Sequence, residues 1–448
     1  MGPGTGRGAQ AEEAPAVNEA LSRPGRPLRV AAFTAYPWEH ALTTLRLVDP
    51  LHFAGVELLR GNDEADFYPE RVEEADLVVI QRDFPRWYGV YTEVVRRARA
   101  GGKPLVYETD DLLLDLPEDH PDRPIHYYTP ALLPMLQALL EADAVTVTTP
   151  ALAEALQPLN PRIHLLPNYL DDRYWRLAPR AQPGAGEPLI LGYMGSTTHA
   201  PDLEAVSPAL AALLARCGER LRLHFWGGPP PAGLRAHPQV GWTDLQLRSY
   251  PEFVRYFSAQ DCHLCLAPLE DSAFNRCKSA VKFFEYSALG LPGVYGRTAP
   301  YEGAVCHGEN GFLASTPDEW LACLTRLVDD PELRLRMGRA AMESVRRDWL
   351  LSEHAGQWRR LYESLLDPAA PRLQTGPLQA GPGERILLSV ASQVSAWLES
   401  REAELGAAQQ RLAESEAARS QISAELDGVR RSRGWALLER LRALRRRL

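Results

Sequence analysis

Cysteine is scarce: six residues in 448, all between positions 217 and 323. That is too few for a disulfide framework and points to a reducing, cytoplasmic setting. No run of 18 apolar residues occurs, so the sequence offers no candidate for a membrane-spanning helix. The first 27 residues lack the apolar centre of a secretory signal and read as a flexible arm rich in Gly, Pro, Ala and Glu. Positive charge is also short: a net charge of −9 and a pI near 5.7 argue against a nucleic-acid-binding surface. Paired metal-ligand motifs are missing too. The one C-x-x-C, Cys262 and Cys265, lies in the apolar stretch DCHLCLAPL, which reads as a buried strand. On a strand, residues i and i+3 face opposite ways, so the expectation is two core cysteines and no metal.

What is present is a large core. Hydrophobic residues make up 45% and charged residues 24%, and the length suits two or three domains. From residue 28, short apolar runs alternate with helix-length segments: LRVAAFTAY, ADLVVIQR, PLVYETDD, AVTVTT and IHLLPN are strands, with helices expected near 43–53, 93–102, 130–142 and 150–159. The runs are too continuous for half-exposed antiparallel strands and imply a parallel sheet covered on both faces. A Pro/Gly/Ala-rich linker at 177–188 is followed by the same pattern in PLILGYMG, RLRLHFWG, PQVGWT, CHLCLAPL and LPGVYG, with helices at 200–218, 278–290, 316–329 and 331–349. The expected fold is therefore α/β: two doubly wound, Rossmann-like domains, 28–176 and 189–366, facing a cleft into which the carboxyl ends of the strands open. The last helix of the second domain is a candidate to pack back on the first. A second linker at 367–383 leads to a helix over 384–428. There Leu398, Leu405, Leu412 and Leu426 recur in sevens, Arg419 fills the missing slot, and Ile422 and Val429 lie on the neighbouring seam. That is a coiled-coil pattern and a route to a homodimer.

Two segments could carry chemistry. GYMGSTTHAPDL (192–203) is a strand, a turn and a helix start, where Gly195 permits a tight turn and Ser196 stands at the start of an anion-binding helix end. In APLEDSAFNRCKSAVKFFEYSALGLP (267–292) a polar loop leads from a buried strand into a helix, and helical spacing sets Lys278, Lys282, Glu285 and Tyr286 around its first turns. Ammonium and N–H groups suit a diphosphate; a fixed carboxylate suits ribose hydroxyls. The plain alternative is an exposed Glu–Lys pair.

The stretch NRCKSAVKFFEYSALGLPGVYG resembles the donor-site signature of GT-B glycosyltransferases of the group 1, family 4-like type found with bacterial surface polysaccharides. GYMGSTTHAPDL, TTPALAEAL, LPNYLDDRYW and ENGFLASTPDEW are similar in order and spacing, so the resemblance spans about 28–366. It implies transfer of a sugar from a nucleotide-diphosphate sugar to a glycan or lipid-linked acceptor on the N-terminal domain, retaining in stereochemistry, with neither metal nor cofactor. Glu285 would then bind the donor ribose; Lys278, Lys282, Gly195 and Ser196 would surround the diphosphate; Asn275 and Tyr286 would complete the donor side. Two departures stand out. Relatives often carry Glu-x7-Glu, and Cys277 occupies the first slot; the Arg and Lys frequent after the glycine turn are replaced by Thr197, Thr198 and His199.

Asp110 and Asp111, after PLVYET, are candidates to orient an acceptor hydroxyl or serve as base, with an Asx turn or helix cap as the alternative. His199 is a candidate sugar or phosphate contact, or a cap, and Arg46 a weaker anion-binding candidate. Residues 429–448 hold eight arginines and one acid, Glu439, with Trp435, Leu438, Leu441, Leu444 and Leu448 near one face. This reads as a basic amphipathic helix for an anionic membrane surface, on the inner face of the cell membrane, or as a partner-binding end. Rival readings of the whole chain are a nucleotide-sugar epimerase and a degraded scaffold dimerising through its tail.

Overall fold

The computed structural model describes residues 26–448 except 64–65, 185, 246–248, 368–381, 432–434, 436–438, 440–441, 443–445 and 447–448. Nearly all of the arm at 1–27 and of the linker at 367–383, and most of the basic segment 429–448, lie outside the described residues.

The N-terminal strands are β1 Arg29–Phe33, β2 Glu57–Arg60, β3 Asn62–Asp63, β4 Asp66–Phe67, β5 Leu77–Gln81, β6 Leu105–Glu108, β7 Ala144–Val147 and β8 Ile163–Leu165. The second set is β9 Leu189–Gly195, β10 Leu221–Gly227, β11 Val240–Thr243, β12 Leu264–Ala267, β13 Gly293–Gly296 and β14 Phe312–Ala314. They build two six-stranded sheets, ordered β2-β1-β5-β6-β7-β8 and β11-β10-β9-β12-β13-β14, and every pairing within them is parallel. Strands such as β5 (LVVIQ) and β12 (LCLA) are buried throughout, because helices cover both faces of each sheet. Strand order reverses beside β1/β5 in one sheet and β9/β12 in the other, and crevices for ligands form at such points.

The chain crosses between the domains twice, and the two crossings meet: Leu170 N–H donates to Trp349 C=O at 2.8 Å and Leu351 N–H to Leu170 C=O at 2.9 Å. After the second crossing, helices Leu351–His354 and Gly356–Leu365 pack Leu351, Trp358 and Tyr362 into the N-terminal core beside Val30, Leu77 and Val106. The long helix Pro382–Arg431 docks Ile386 and Val390 into the other N-terminal core layer. From Leu398 onward its stripe of Leu398, Leu405, Leu412, Ile422 and Leu426 is exposed. The helix is present; no second strand of a coiled coil accompanies it among the described residues.

Three expectations need correcting. The first helix is interrupted by a π-helical turn at Thr44–Val48, which turns Arg46 inward. Its guanidinium is buried against Glu108 Oε1 (2.7 Å), Leu166 C=O (2.8 Å) and Asn168 Oδ1 (3.0 Å), so it is consumed internally and cannot serve as an anion site. Next, β12 starts only at Leu264, two residues after Cys262, so the opposite-face argument fails: the Cys262 and Cys265 thiols are buried 3.4 Å apart. Among the described residues no cluster of three or more His, Cys, Asp or Glu able to hold an ion occurs. Last, the motif helix runs Val281–Ala288 rather than from 278. Residues 277–279 are held in a loop by bonds to the other domain.

Candidate active site

The two crevices face each other, and the motif residues gather between them. Gly195 ends β9 without a left-handed backbone; its need is space, since a Cβ there would stand 2.5 Å from Tyr193 Oη and 3.0 Å from Lys282 Cε. The chain then turns through Ser196 and Thr198, whose hydroxyls lie 2.5 Å apart, into the helix Ala200–Cys217. His199 stands at its N-cap. One ring nitrogen, Nδ1, is 2.8 Å from the buried carboxylate of Asp202, and Nε2 is 3.0 Å from Lys282 Nζ. Burial, then the Lys282 charge, lowers the imidazole to about 4. A neutral ring with Nδ1–H on Asp202 leaves Nε2 free to accept from the ammonium. Asp202 is itself fixed, accepting from Glu270 N–H (2.8 Å) and Asn275 Nδ2 (3.3 Å).

Lys282 lies half-buried beneath this turn, and desolvation together with Lys278 brings its ammonium down to about 8. Glu285, one turn further, is 5% exposed and is pushed up to about 7 by burial, against the pull of Lys282. Its Oε1 accepts from Tyr250 Oη at 3.1 Å, and Tyr250 Oη in turn accepts from Trp175 Nε1 at 3.0 Å. Tyr286 is turned away from the crevice. Its hydroxyl accepts from Met194 N–H (3.1 Å) and faces the carbonyls of Met194 and Leu266, pinning the helix to β9 and β12. That corrects its expected place on the donor side: helical spacing cannot tell the core face from the crevice face.

On the opposite wall, Asp110 is paired with Arg82, and Asp111 lies 3.6 Å from Arg82 and 3.4 Å from Lys278 Nζ. Burial alone would raise the Asp111 carboxyl, but Lys278 and Arg82 hold it below its ordinary value. Arg82 follows β5 with φ 47°, a conformation that non-glycine residues seldom adopt. Its guanidinium is buried, donates to Tyr128 Oη at 3.3 Å and lies over the Tyr36 ring. Sequence reading missed Arg82, Tyr36, Tyr128, Tyr250 and Asp202. Two of them carried a signal: Arg82, as a cation ending the apolar strand ADLVVIQR at its carboxyl end, and Asp202, in its H-x-x-D spacing from His199. A cavity of about 60 Å³ lined by His120, Thr198, Asp202 and Lys278 lies between the walls. A larger one of about 520 Å³ opens beside it, between Asp202, Glu270, Arg297, Thr298 and Ser315.

Two doubly wound parallel domains with charged groups at facing crevices define the GT-B class of fold. Residues 207–360, about a third of the chain, match the family described as glycosyl transferase-like. Over 189 residues the chain is 30% identical to the D-inositol 3-phosphate glycosyltransferase of Corynebacterium glutamicum, covering 38% of this chain and 43% of that protein. The enzyme of the same name from Corynebacterium efficiens is 28% identical over 190 residues, 38% and 42% of the two chains. The chain thus spans less than half the length of the curated relatives it matches. Among solved structures, sucrose-phosphate synthase from Thermosynechococcus elongatus superposes with a TM-score of 0.52 at 16% identity, covering 75% of this chain and 99% of that one. Anabaena HepE in complex with UDP-glucose gives 0.52 at 13% identity, 75% and 100% covered. These matches bear out the GT-B architecture and the resemblance to group 1 glycosyltransferases.

Proposed function

We propose that this protein transfers a sugar from a nucleotide-diphosphate sugar to an acceptor hydroxyl held by the N-terminal domain. The observation that carries the reading is the grouping of Lys278, Lys282 and Glu285 after β12, with Lys278 paired to Asp111 of the opposite domain and Lys282 against His199 at the turn after β9. Departure of a nucleoside diphosphate leaves negative charge on its distal phosphate. Lys282, steadied by His199, and Lys278 would neutralise it, helped by the N-terminus of the helix Ala200–Cys217. Glu285, held by Tyr250, would accept from the ribose hydroxyls. A uridine diphosphate donor is favoured by the UDP-glucose complex of the structurally similar HepE. Asp111 stands nearest the lysines on the acceptor wall and would orient the attacking hydroxyl, whereas Asp110 is engaged by Arg82. Retention at the anomeric carbon and a glycan or lipid-linked acceptor of the cell surface belong to the same proposal, as do pairing through the exposed leucine stripe and membrane contact through 429–448.

The test is a thermal-shift panel of UDP-, GDP-, ADP- and TDP-sugars on the full chain and on Glu285→Ala. A true donor at about 100 times its Kd adds about 2.7 kcal/mol of stability, and the variant should lose that response. Product that forms without acceptor would identify an epimerase. Silence across the panel would leave a scaffold.

A further inference from the structure

The loop that carries Lys278 is gripped by the opposite domain. Three consecutive residues each make one bond across the domains. Thr149 Oγ1 donates to Cys277 C=O at 2.8 Å; Lys278 Nζ donates to Asp111 Oδ1 at 3.4 Å; Asn168 Nδ2 donates to Ser279 Oγ at 2.8 Å. The three anchors follow β6, β7 and β8, which are neighbours in the N-terminal sheet. Strands in a sheet lie about 4.8 Å apart, so their terminal loops stand side by side and can all reach one short facing segment.

Each anchor is itself held. Thr149 caps the helix Pro150–Leu156, accepting from Leu152 N–H at 3.2 Å. Asn168 Oδ1 accepts from Arg46, which is locked on Glu108. Asp111 stands beside Arg82. Apolar contact reinforces the grip: Phe274 and Cys277 are buried in the N-terminal core cluster, and His120 meets the Phe274 ring edge-on at 5.3 Å. This accounts for the departure at position 277. The slot that holds glutamate in many relatives is turned into the other domain, where burial pushes the Cys277 thiol up to about 12 and would penalise a charged carboxylate.

We propose that Thr149 and Asn168 are positioning residues of the donor site: by clamping 277–279 from the acceptor domain, they set Lys278 and Lys282 for the diphosphate and make donor affinity depend on domain closure. The proposal rests on the donor reading above. Neither residue touches the donor; both act through the loop.

The test uses the full chain with Asn168→Ala, Ser279→Ala, their double variant, Thr149→Val and Thr149→Ser. Two readouts are taken: affinity for the nucleotide sugar that stabilises the wild type, and the labelling rate of Cys277 by a thiol reagent, followed by peptide mapping. Losing one buried hydrogen bond should weaken donor binding about five- to tenfold and speed Cys277 labelling. Thr149→Ser, which keeps both the cap and the clamp, should restore both readouts. Asn168→Ala and Ser279→Ala should not add in the double variant. Faster Cys277 labelling in a protein that binds no nucleotide sugar would uphold the clamp and sink the donor reading alone. Unchanged labelling, or additive losses in the double variant, would overturn the clamp.

Discussion

Lys282 shows how a side chain's surroundings decide its usefulness. An ammonium in water would carry its charge through any physiological pH, but burial and Lys278 bring this one down to about 8. Because the diphosphate needs the charged ammonium and the ribose hydroxyls need the Glu285 carboxylate, itself pushed up to about 7, donor affinity should rise from pH 6.5 and peak between 7 and 8. Above pH 8 it should fall, approaching about tenfold per unit as the ammonium loses its proton. Isothermal titration of the stabilising nucleotide sugar between pH 6.5 and 9.5 reads this directly, and Lys282→Met should bind more weakly with that slope removed. His199 does not share the titration, since burial already keeps it neutral across this range. Its spacing from Asp202 is visible in the sequence as H-x-x-D, yet its contact with Lys282 joins residues 83 positions apart and appears only when β9 and the motif helix meet.

Between elements, contacts are set by close approach as much as by hydrophobic pattern. The motif glycine Gly290 has φ +63° where the helix ends, a C-terminal glycine of the usual left-handed kind. Helix Pro331–Asp348 crosses it so tightly that a Cβ on Gly338 would lie 2.1 Å from Gly290 C=O. Gly338→Ala should therefore destabilise the protein by about 1–3 kcal/mol through overpacking, read as a lower urea midpoint, with a weakened donor response because the displaced backbone belongs to the motif. The periodicity of that helix and the glycine ending the motif were both legible, as were ten strands and their parallel pairing, but not β2, β3, β4 or β14. Illegible were the π turn that turns Arg46 inward, the late start of β12 that brings the two thiols together, and the loop at 277–279. Each departs from its local pattern because partners from elsewhere in the chain compensate the backbone.

For the molecule as a whole, the two crossings paired at Leu170 and Leu351 and the helices returning to the N-terminal core make the domain arrangement a property of the entire chain. The long helix behaves differently. After Val390 and Val394 it leaves the core, and its leucine stripe, with Leu412 61% exposed, has no cover among the described residues. Seven-residue spacing favours a second copy of the same helix. Two nested truncations separate the roles proposed for this end. Removing 429–448 should abolish binding to anionic vesicles while leaving a dimer in sedimentation. Removing 398–448 should also yield a monomer, with the thermal response to nucleotide sugar retained.

By itself the sequence determined the two α/β halves, ten of their parallel strands and the motif holding Lys278, Lys282 and Glu285. All of these follow from local periodicity and from residue types adjacent in the chain. Only the tertiary structure decided which side chains face the cleft: Tyr286 goes to the core, Arg46 to an internal ion pair, Cys277 into the opposite domain, and Arg82 and Tyr250 into the site. The reason is physical. Burial and pairing are properties of neighbours in space, and neighbours such as Thr149 and Cys277 lie 128 positions apart along the chain.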